Sequence, residues 1–213
     1  MADILLDVQS PPSTPAAGQA VIYVDNVSKI PAVKDDAGKV FTLGELTNFS
    51  VAAQGAGFAS DTYLTGSNVK IPRSGARVGT LYRCSFDVSK TAAGVAAPVI
   101  IVRFGTAGAI GDTARLTFTF SAQTAAADVG RVEVVVLFRA VSGVGVIQGR
   151  ATLNHTGGAT GLLGLSVSPG PTLQVTSAAF DNTVQDSFVG LSVNGGASAA
   201  WTVQLVESEL KNV

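Results

Sequence analysis

The feature that most constrains the fold is a repeated pattern of short runs in which apolar and polar residues alternate, each ended by Gly, Asp, Ser or Pro. Alternation with a period of two places successive side chains on opposite faces of a strand, whereas a helix repeats every three to four residues. The clearest run is 115–120, where Leu116, Phe118 and Phe120 share one face. From residue 61 onward the pattern predicts nine strands, at 62–71, 80–88, 99–104, 114–121, 131–140, 144–153, 172–176, 188–193 and 200–206.

No helical pattern competes with these strands. The Ala-rich stretch 124–127 is too short to nucleate a helix, and we predict a loop there. Residues 132–138 are apolar apart from Glu133, which predicts a strand covered on both faces. Short strands joined by turns, without helical partners, predict an all-β fold, a jelly-roll-like β-sandwich over residues 61–213.

The N-terminal segment has a different texture. Residues 10–15 are rich in Pro and Ser, and two strand candidates follow at 19–25 and 39–43. The Lys-Asp-Asp-Ala-Gly sequence at 34–38 is typical of a turn. We therefore predict an extended N-terminal arm ending in a β-hairpin over residues 1–45, joined by a small, polar linker at 46–60. Because an isolated hairpin is marginally stable in water, the arm is expected to dock on a partner.

The composition predicts self-association and excludes several partner classes. Only 14% of residues are charged, against about 25% in an ordinary soluble domain, so neighbouring subunits are expected to cover part of the surface. The net charge is -1 and no basic cluster is present, which argues against nucleic acid as a partner. No apolar run is long enough to span a membrane, and no secretion signal is evident, so we expect synthesis in a cytoplasm without membrane insertion.

Residues suited to catalysis or metal binding are few. Cys84 is the single cysteine and is expected to be a buried thiol. His155 is the single histidine; it follows a strand candidate and is expected in a solvated loop, so no His pair can bind a metal within one chain. The Gly-rich stretches 105–111 and 143–149 lack the lysine and the following helix of a phosphate site, and we interpret them as tight connections. The prediction is a protein that is not an enzyme and has no cofactor or metal; a polysaccharide-degrading enzyme with two carboxylates meeting across the fold remains an alternative.

Carbohydrate binding is a second open alternative. Sugar sites use exposed aromatic rings beside amides and carboxylates, and the candidate rings are those of Tyr23, Tyr63, Tyr82 and Trp201, although each lies in an apolar context that favours packing. The candidate ligand loops are 154–158, with Asn154 and His155, and 195–199, which follows Asn194.

Two stretches resemble a known class of protein. Residues 15–25, PAAGQAVIYVD, and 34–43, KDDAGKVFTL, are similar to the N-terminal attachment segment of virion structural proteins of tailed bacteriophages. Further similarity lies in KTAAG at 90–94, RFGTAG at 103–108, GD at 111–112, GLSVNGG at 190–196 and AWTV at 200–203. The resemblance implies a trimeric β-domain on the particle surface, on either the capsid or the tail.

From this resemblance, the primary expectation is a homotrimeric capsid decoration, head-fibre or short tail-fibre protein. We expect it to be localised to the virion and synthesised in the host cytoplasm. Its arm would dock on the major capsid protein or on tail or baseplate proteins through Val21, Tyr23, Val40 and Phe41. The alternative is a receptor-binding protein at a tail tip or tail fibre that binds a host surface glycan through the candidate loops.

Overall fold

The computed structural model describes residues 8–25, 31–38, 40–42, 46–55, 58–73, 75–156, 160–163, 172–183, 185–196 and 200–213. These residues form 15 strands and one short 3-10 helix at Ser142–Val144. The strands are β1 Val8–Gln9, β2 Ala20–Asp25, β3 Pro31–Asp35, β4 Val40–Thr42, β5 Leu46–Ser50, β6 Thr62–Tyr63, β7 Val69–Ile71, β8 Leu81–Lys90, β9 Val99–Gly105, β10 Thr113–Thr119, β11 Asp128–Ala140, β12 Val146–His155, β13 Thr172–Thr176, β14 Ser187–Asn194 and β15 Trp201–Lys211. Within these ranges, no helix has the length and apolar character needed to cross a membrane.

Two antiparallel sheets form a jelly-roll-like β-sandwich, which confirms the predicted fold class. The first sheet has six strands in the order β13-β12-β11-β8-β15-β5. The second has the order β10-β9-β14-β6, and β7 also pairs with β14. Alternate residues of both sheets point inward, and the rings of Phe104, Phe138 and Phe180 join the two layers, with centroids 4.5 to 6.2 Å apart. Burial of these apolar faces stabilises the sandwich.

Each predicted strand of the sandwich overlaps an observed one, although β15 runs five residues beyond its predicted end at 206 and residue 144 lies in the 3-10 helix. Two larger differences remain. The run 62–71 is divided into β6 and β7 by a turn at Gly66, where φ is +88° and a Cβ would lie 2.5 Å from the backbone nitrogen of Ser50. Only glycine fits both conditions without strain. The second difference is in β11, where residues 132–138 alternate between buried and more exposed positions, with Leu137 exposed. The prediction that this strand is covered on both faces was wrong, because its outward side faces solvent.

The N-terminal segment folds into a small sheet of its own. Its four strands lie in the order β1-β2-β3-β4, and the predicted turn at 34–38 joins β3 to β4. The Gly38 N–H donates to the Asp35 carbonyl over 3.0 Å, and φ of Gly38 is +79°. The Pro-rich segment packs on this sheet, since the Lys34 ammonium donates to the Pro12 carbonyl over 2.7 Å. The two predicted strands do not pair with each other, because each pairs with β3, which the sequence did not predict. The arm is therefore a four-stranded sheet and not the predicted hairpin.

The predicted linker begins with a strand of the sandwich. β5 pairs with β15 over five residues, from Leu46 opposite Leu210 to Ser50 opposite Val206. Gln54 continues the contact, exchanging two backbone hydrogen bonds of 2.7 and 2.9 Å with Val203. The structure thus differs from the predicted boundary at residue 60, and the sandwich begins at Leu46. The pairing involves a strand more than 150 residues away, which local sequence does not reveal.

Candidate functional site

Charged residues collect on the outward face of the six-stranded sheet, which we call the outer face. Because side chains alternate along β8, β11, β12 and β15, every second residue of these strands points away from the core. The chain has only 14 basic and 15 acidic residues. More than a quarter of these 29 lie on the outer face, at Arg83, Asp87, Arg131, Glu133, Arg150, Glu207, Glu209 and Lys211. The outer face is therefore the charged side of this sheet, whose other side faces the apolar core.

Two guanidinium groups organise this face. Arg83 lies between two carboxylates, 3.2 Å from Glu133 and 2.9 Å from Glu209. Arg131 lies 3.3 Å from the Asp87 carboxylate and 3.4 Å from the Glu207 carboxylate. These exposed pairs add little to stability individually, but together they fix the directions of side chains from three neighbouring strands. Both cations are already matched by anions.

The ring of Phe49 stands at the edge of the outer face. Phe49 is on the edge strand β5, and 70% of the residue is exposed. Its partner across the strand pair is Glu207, whose side chain is 67% exposed. Directly opposed side chains on one face of an antiparallel pair lie within reach of one another, so the ring and the carboxylate form one surface feature.

A hollow lies on each side of Phe49. The first, of about 570 Å³, is on the outer face, and its walls include Asn48, Phe49, Arg83, Arg131 and Glu207. The second, of about 630 Å³, lies at the sandwich edge, and its walls include Asn48, Phe49, Tyr63, Asn68 and Ile110. Asn48 and Phe49 line both hollows. Each volume falls within the range of about 300–1,000 Å³ that small-molecule sites occupy.

The second hollow is fixed by a polar network behind it. The Asn48 amide donates to the backbone carbonyl and to the side-chain oxygen of Asn68, both over 2.8 Å. The Asn48 side-chain oxygen in turn accepts the Phe49 N–H over 2.9 Å. Below the hollow, the nearly buried Arg103 pairs with Asp61 and donates to the Ser192 hydroxyl over 2.8 Å. These bonds hold the wall and the Phe49 backbone in place before any ligand arrives.

The predicted ligand residues Asn154 and His155 line a third hollow, of about 430 Å³, at the far end of the outer face. Asn154 is exposed on β12, opposite Arg131. His155 is the last residue of β12, and its side chain is only 15% exposed, so the prediction of a solvated loop histidine was wrong. Its Nδ1 lies 2.8 Å from the Asp128 carboxylate, which holds the ring against the sandwich.

Asp128 is the centre of this corner of the fold. Its side chain is 2% exposed, and besides His155 it accepts the N–H groups of Val129 and Leu162 at 2.8 and 2.9 Å and the Thr156 hydroxyl at 3.1 Å. Burial alone would raise the pKa of Asp128, but these hydrogen bonds outweigh burial and lower the pKa below its ordinary value of 3.8. The carboxylate clamps the Asp128 end of β11 to the segment at 160–163.

A buried cation lies at the same corner. Lys90, the last residue of β8, is 3% exposed, and its ammonium donates to the backbone carbonyls of Thr91, Thr124 and Ala126. Burial lowers the pKa of Lys90, and the charge of Asp128 acts in the opposite direction. The hydrogen bonds from Asp128 and Lys90 to the surrounding loops explain why both charges are buried, so we assign these two residues a structural role.

The remaining predicted residues lie elsewhere. Asn194 ends β14 in the five-stranded sheet, where its side chain accepts the Gly196 N–H over 2.9 Å; residues 197–199 of that loop lie outside the described residues. The structure therefore does not bring Asn194 together with Asn154 and His155, which are on the other sheet.

Tyr82 and Trp201 are buried and Tyr63 is half-buried, as expected for packing roles.

The four arm residues lie on the small N-terminal sheet. Tyr23 is buried within it, while Val21 and Val40 are half-buried; the side chain of Phe41 lies outside the described residues. In the folded sheet Tyr23 contributes packing, and Ile22, beside it on β2, is the exposed apolar residue. The sequence reasoning did not single out Ile22.

Sequence reasoning also missed Phe49 and Glu207. Only Trp and Tyr were weighed as sugar platforms, and residues 46–60 were interpreted as a linker. The available signal was the alternation Leu46-Thr47-Asn48-Phe49-Ser50, which sets an aromatic residue between two polar ones. Among the described residues, no group of three or more His, Cys, Asp or Glu side chains is arranged to bind a metal ion.

Comparison with protein families and with curated proteins gives no match. Three solved structures share a weak likeness over most of the chain. The lectin from Bauhinia forficata in complex with GalNAc has a TM-score of 0.38 and 10% identity, covering 79% of this chain and 99% of the lectin. The CBM2 module of the evolved Dit of Lactobacillus casei BL23 phage J-1 has a TM-score of 0.30 and 9% identity, covering 80% and 91%. The legume lectin-like domain from Entamoeba histolytica has a TM-score of 0.24 and 7% identity, covering 78% and 90%. At 10% identity or less, the chain is assigned to none of these families.

Proposed function

We propose that this chain is a non-catalytic structural protein of a bacteriophage particle, which attaches through its N-terminal sheet and presents the sandwich outward. The observation that carries the proposal is the division of strand pairing. Strands β1–β4 pair only with one another among the described strands, and the sandwich is complete from β5 onward. One part is thus free to bind the particle while the other remains folded.

Self-association as a homotrimer is part of the proposal. The low charge content is matched by large apolar side chains exposed at several places on the sandwich, including Val78, Val144 and Leu205. Such residues favour contact with another subunit or with the particle. The resemblance to tailed-phage virion proteins implies three subunits and supports the proposal of a capsid decoration, head-fibre or short tail-fibre role.

Two deletions test attachment. Removing residues 1–45 takes away the small sheet but no strand of the sandwich, so we expect a folded, soluble protein that no longer binds phage particles in a co-sedimentation assay. Removing residues 1–60 also removes β5 and the Gln54 bridge, which exposes the edge of β15, and we expect aggregation. Full occupancy of particles by the shorter deletion would refute attachment through this sheet. A monomer in analytical ultracentrifugation would refute the trimer.

Carbohydrate binding is the second candidate function, and the Phe49–Glu207 pair favours it. An exposed ring can stack on the C–H face of a sugar, and a neighbouring carboxylate can accept hydrogen bonds from adjacent hydroxyl groups. The guanidinium groups of Arg83 and Arg131 add fixed donors within the same hollow. Among the described residues, no other ring as exposed as that of Phe49 stands in such surroundings.

A glycan array separates this candidate from a purely structural role. We expect the full chain to retain specific glycans and the Phe49→Ala variant to lose them, while its melting temperature changes little because the ring is exposed. An array with no glycan above background for the full chain would remove carbohydrate binding and leave the structural role standing. We expect no fall in polymer viscosity on incubation; such a fall would point to a polysaccharide-degrading enzyme.

A further inference from the structure

We propose that the groove running from the outer face over Phe49 into the hollow at the sandwich edge binds an extended, uncharged saccharide chain. This proposal rests on the carbohydrate-binding function above and names its ligand class. It specifies two features: the ligand occupies both hollows at once, and it carries no acid groups.

The two hollows adjoin each other because they share a wall. Asn48 and Phe49 line both, so a ligand stacked on the Phe49 ring has polar contacts available on either side. On the outer face these are the groups of Glu207, Arg131 and Arg83. A single sugar on the ring contacts one hollow fully and leaves the other empty, whereas a chain crossing the ring contacts both.

The second hollow has an apolar contact of its own. Ile110 is 45% exposed and lines it, together with Asn68 and the turn at Gly66. The hollow therefore has a hydrophobic surface at Ile110 as well as at Phe49, with amide groups between them. Sugar rings have apolar faces and polar edges, and this arrangement suits a further unit of the same chain.

The charges of the groove exclude acidic polysaccharides. The first hollow has three carboxylates, of Glu133, Glu207 and Glu209, against two guanidinium groups. Each guanidinium already bridges two carboxylates. In the second hollow the Asp61 carboxylate is paired with Arg103. An anionic ligand would meet no unmatched cation and would approach the exposed Glu207, so it is repelled at the ring that it needs.

The polar groups that line the two hollows are held by hydrogen bonds before a ligand binds. Asn48 is held by two hydrogen bonds to Asn68 and itself holds the Phe49 backbone, and Arg131 donates to the Ser85 hydroxyl over 2.8 Å. Since these groups are ordered before binding, little side-chain entropy is lost when a ligand arrives. Additional sugar units therefore add contacts at low cost, and affinity is expected to increase with chain length.

The test is isothermal titration calorimetry of the full chain with saccharides of increasing length. The probes are β-1,4-linked N-acetylglucosamine and α-1,4-linked glucose chains of one to six residues, with oligogalacturonates as the anionic series. We expect at least one neutral series to gain about tenfold in affinity or more between one and four residues, which corresponds to about 1.4 kcal/mol. We expect the anionic series to bind more weakly than the neutral one at every length.

Three variants and a control locate the contacts. Phe49→Ala is expected to weaken binding of every length, and Phe49→Trp to restore it. Ile110→Ala is expected to weaken only the longer chains, because short ones remain on the ring. The control is Val95→Ala, which removes an apolar side chain that is 48% exposed, close to the 45% of Ile110, and that lines none of the three hollows.

The outcomes separate the two levels of the proposal. Neutral saccharides that bind with the same affinity at every length, or an Ile110→Ala variant that binds long chains unchanged, would overturn the extended site and leave carbohydrate binding intact. Tighter binding of the oligogalacturonates would overturn the assignment of an uncharged ligand. If no probe of either series binds the full chain while the glycan array retains a glycan, the extended site is overturned and carbohydrate binding stands. If the array is blank as well, both are overturned.

Discussion

Replacing Asp128 with Asn tests whether one buried carboxylate holds the corner of the sandwich. The carboxylate accepts four hydrogen bonds, and two come from the backbone N–H groups of Val129 and Leu162. Asn has nearly the same shape but is neutral and has a single acceptor oxygen, so one backbone N–H loses its acceptor and the other keeps only a neutral one. A hydrogen bond to a charged group contributes about 1.5–3 kcal/mol, and because the bond to His155 loses its charged partner as well, we expect a total of roughly 2–4 kcal/mol.

The assay is thermal unfolding followed by circular dichroism. For a chain of this length, each kcal/mol lowers the melting temperature by about 2–4 °C, so Asp128→Asn is expected to melt roughly 4–16 °C below the wild type. The matched control is Asp87→Asn on the outer face, which breaks one partly exposed ion pair with Arg131 and should cost less than about 1 kcal/mol.

The pH dependence adds a second readout. The pKa of Asp128 is lowered in the folded state, so its contribution to stability is fully present above the unfolded pKa of about 3.9 and is lost as the pH falls through the lower folded pKa. The difference between wild type and Asp128→Asn should therefore be constant from pH 7 to about pH 4 and shrink below it. Equal melting temperatures at pH 7, or a difference that persists unchanged to pH 2, would refute this account of the corner.

Three further predictions concern buried groups. Tyr82→Phe should lower the free energy of unfolding by about 1–3 kcal/mol in a denaturation assay, because the Tyr82 hydroxyl donates to the buried Ser67 carbonyl over 2.6 Å. Tyr63→Phe should be neutral or stabilising in the same assay, because the Tyr63 hydroxyl is buried without a hydrogen-bond partner in the described part of the chain. Gly190→Ala should cost about 1–3 kcal/mol, since the new Cβ would lie 2.0 Å from that hydroxyl, whereas Gly111→Ala meets nothing within 4 Å and should leave the melting temperature unchanged. Burial raises the pKa of Cys84 to about 12, so its thiol should resist a disulfide reagent at pH 8 until denaturant is added; rapid labelling of the native protein would contradict the burial.

Local sequence predicted most of the sandwich strands because their alternation reflects burial on one side. Strand β13 matches its predicted range, 172–176, and β9 extends only one residue beyond its own. Strand β3 was missed because its sequence, Pro-Ala-Val-Lys-Asp, begins with proline and ends with two charges. Strand β5 was missed because neither face is fully buried, so alternation was weak, and because its partner lies at the other end of the chain.

The site was harder to predict than the fold for a related reason. The case for Phe49 as a ligand contact depends on Glu207, its partner across the strand pair, which lies 158 positions further along the chain. His155 was expected in solvent because it follows a strand candidate and precedes Gly157 and Gly158, but the Asp128 carboxylate that binds it lies 27 positions earlier in the chain. Sequence spacing fixes which face a residue occupies on its own strand, whereas the identity of its neighbours depends on the order of the strands.

The position of β5 has a mechanical consequence. If the particle holds the chain by residues before Leu46, any pull on the sandwich enters it through this strand, which is paired with β15 over five residues and lies at the margin of the sheet. Tension directed along β5 loads its backbone hydrogen bonds together in shear, whereas tension across the strand would break them one at a time. The same strand carries the Phe49 ring, so the proposed tether and the proposed saccharide surface are joined by a few residues. If both proposals hold, drag on a bound saccharide would strain this junction before it reached the core.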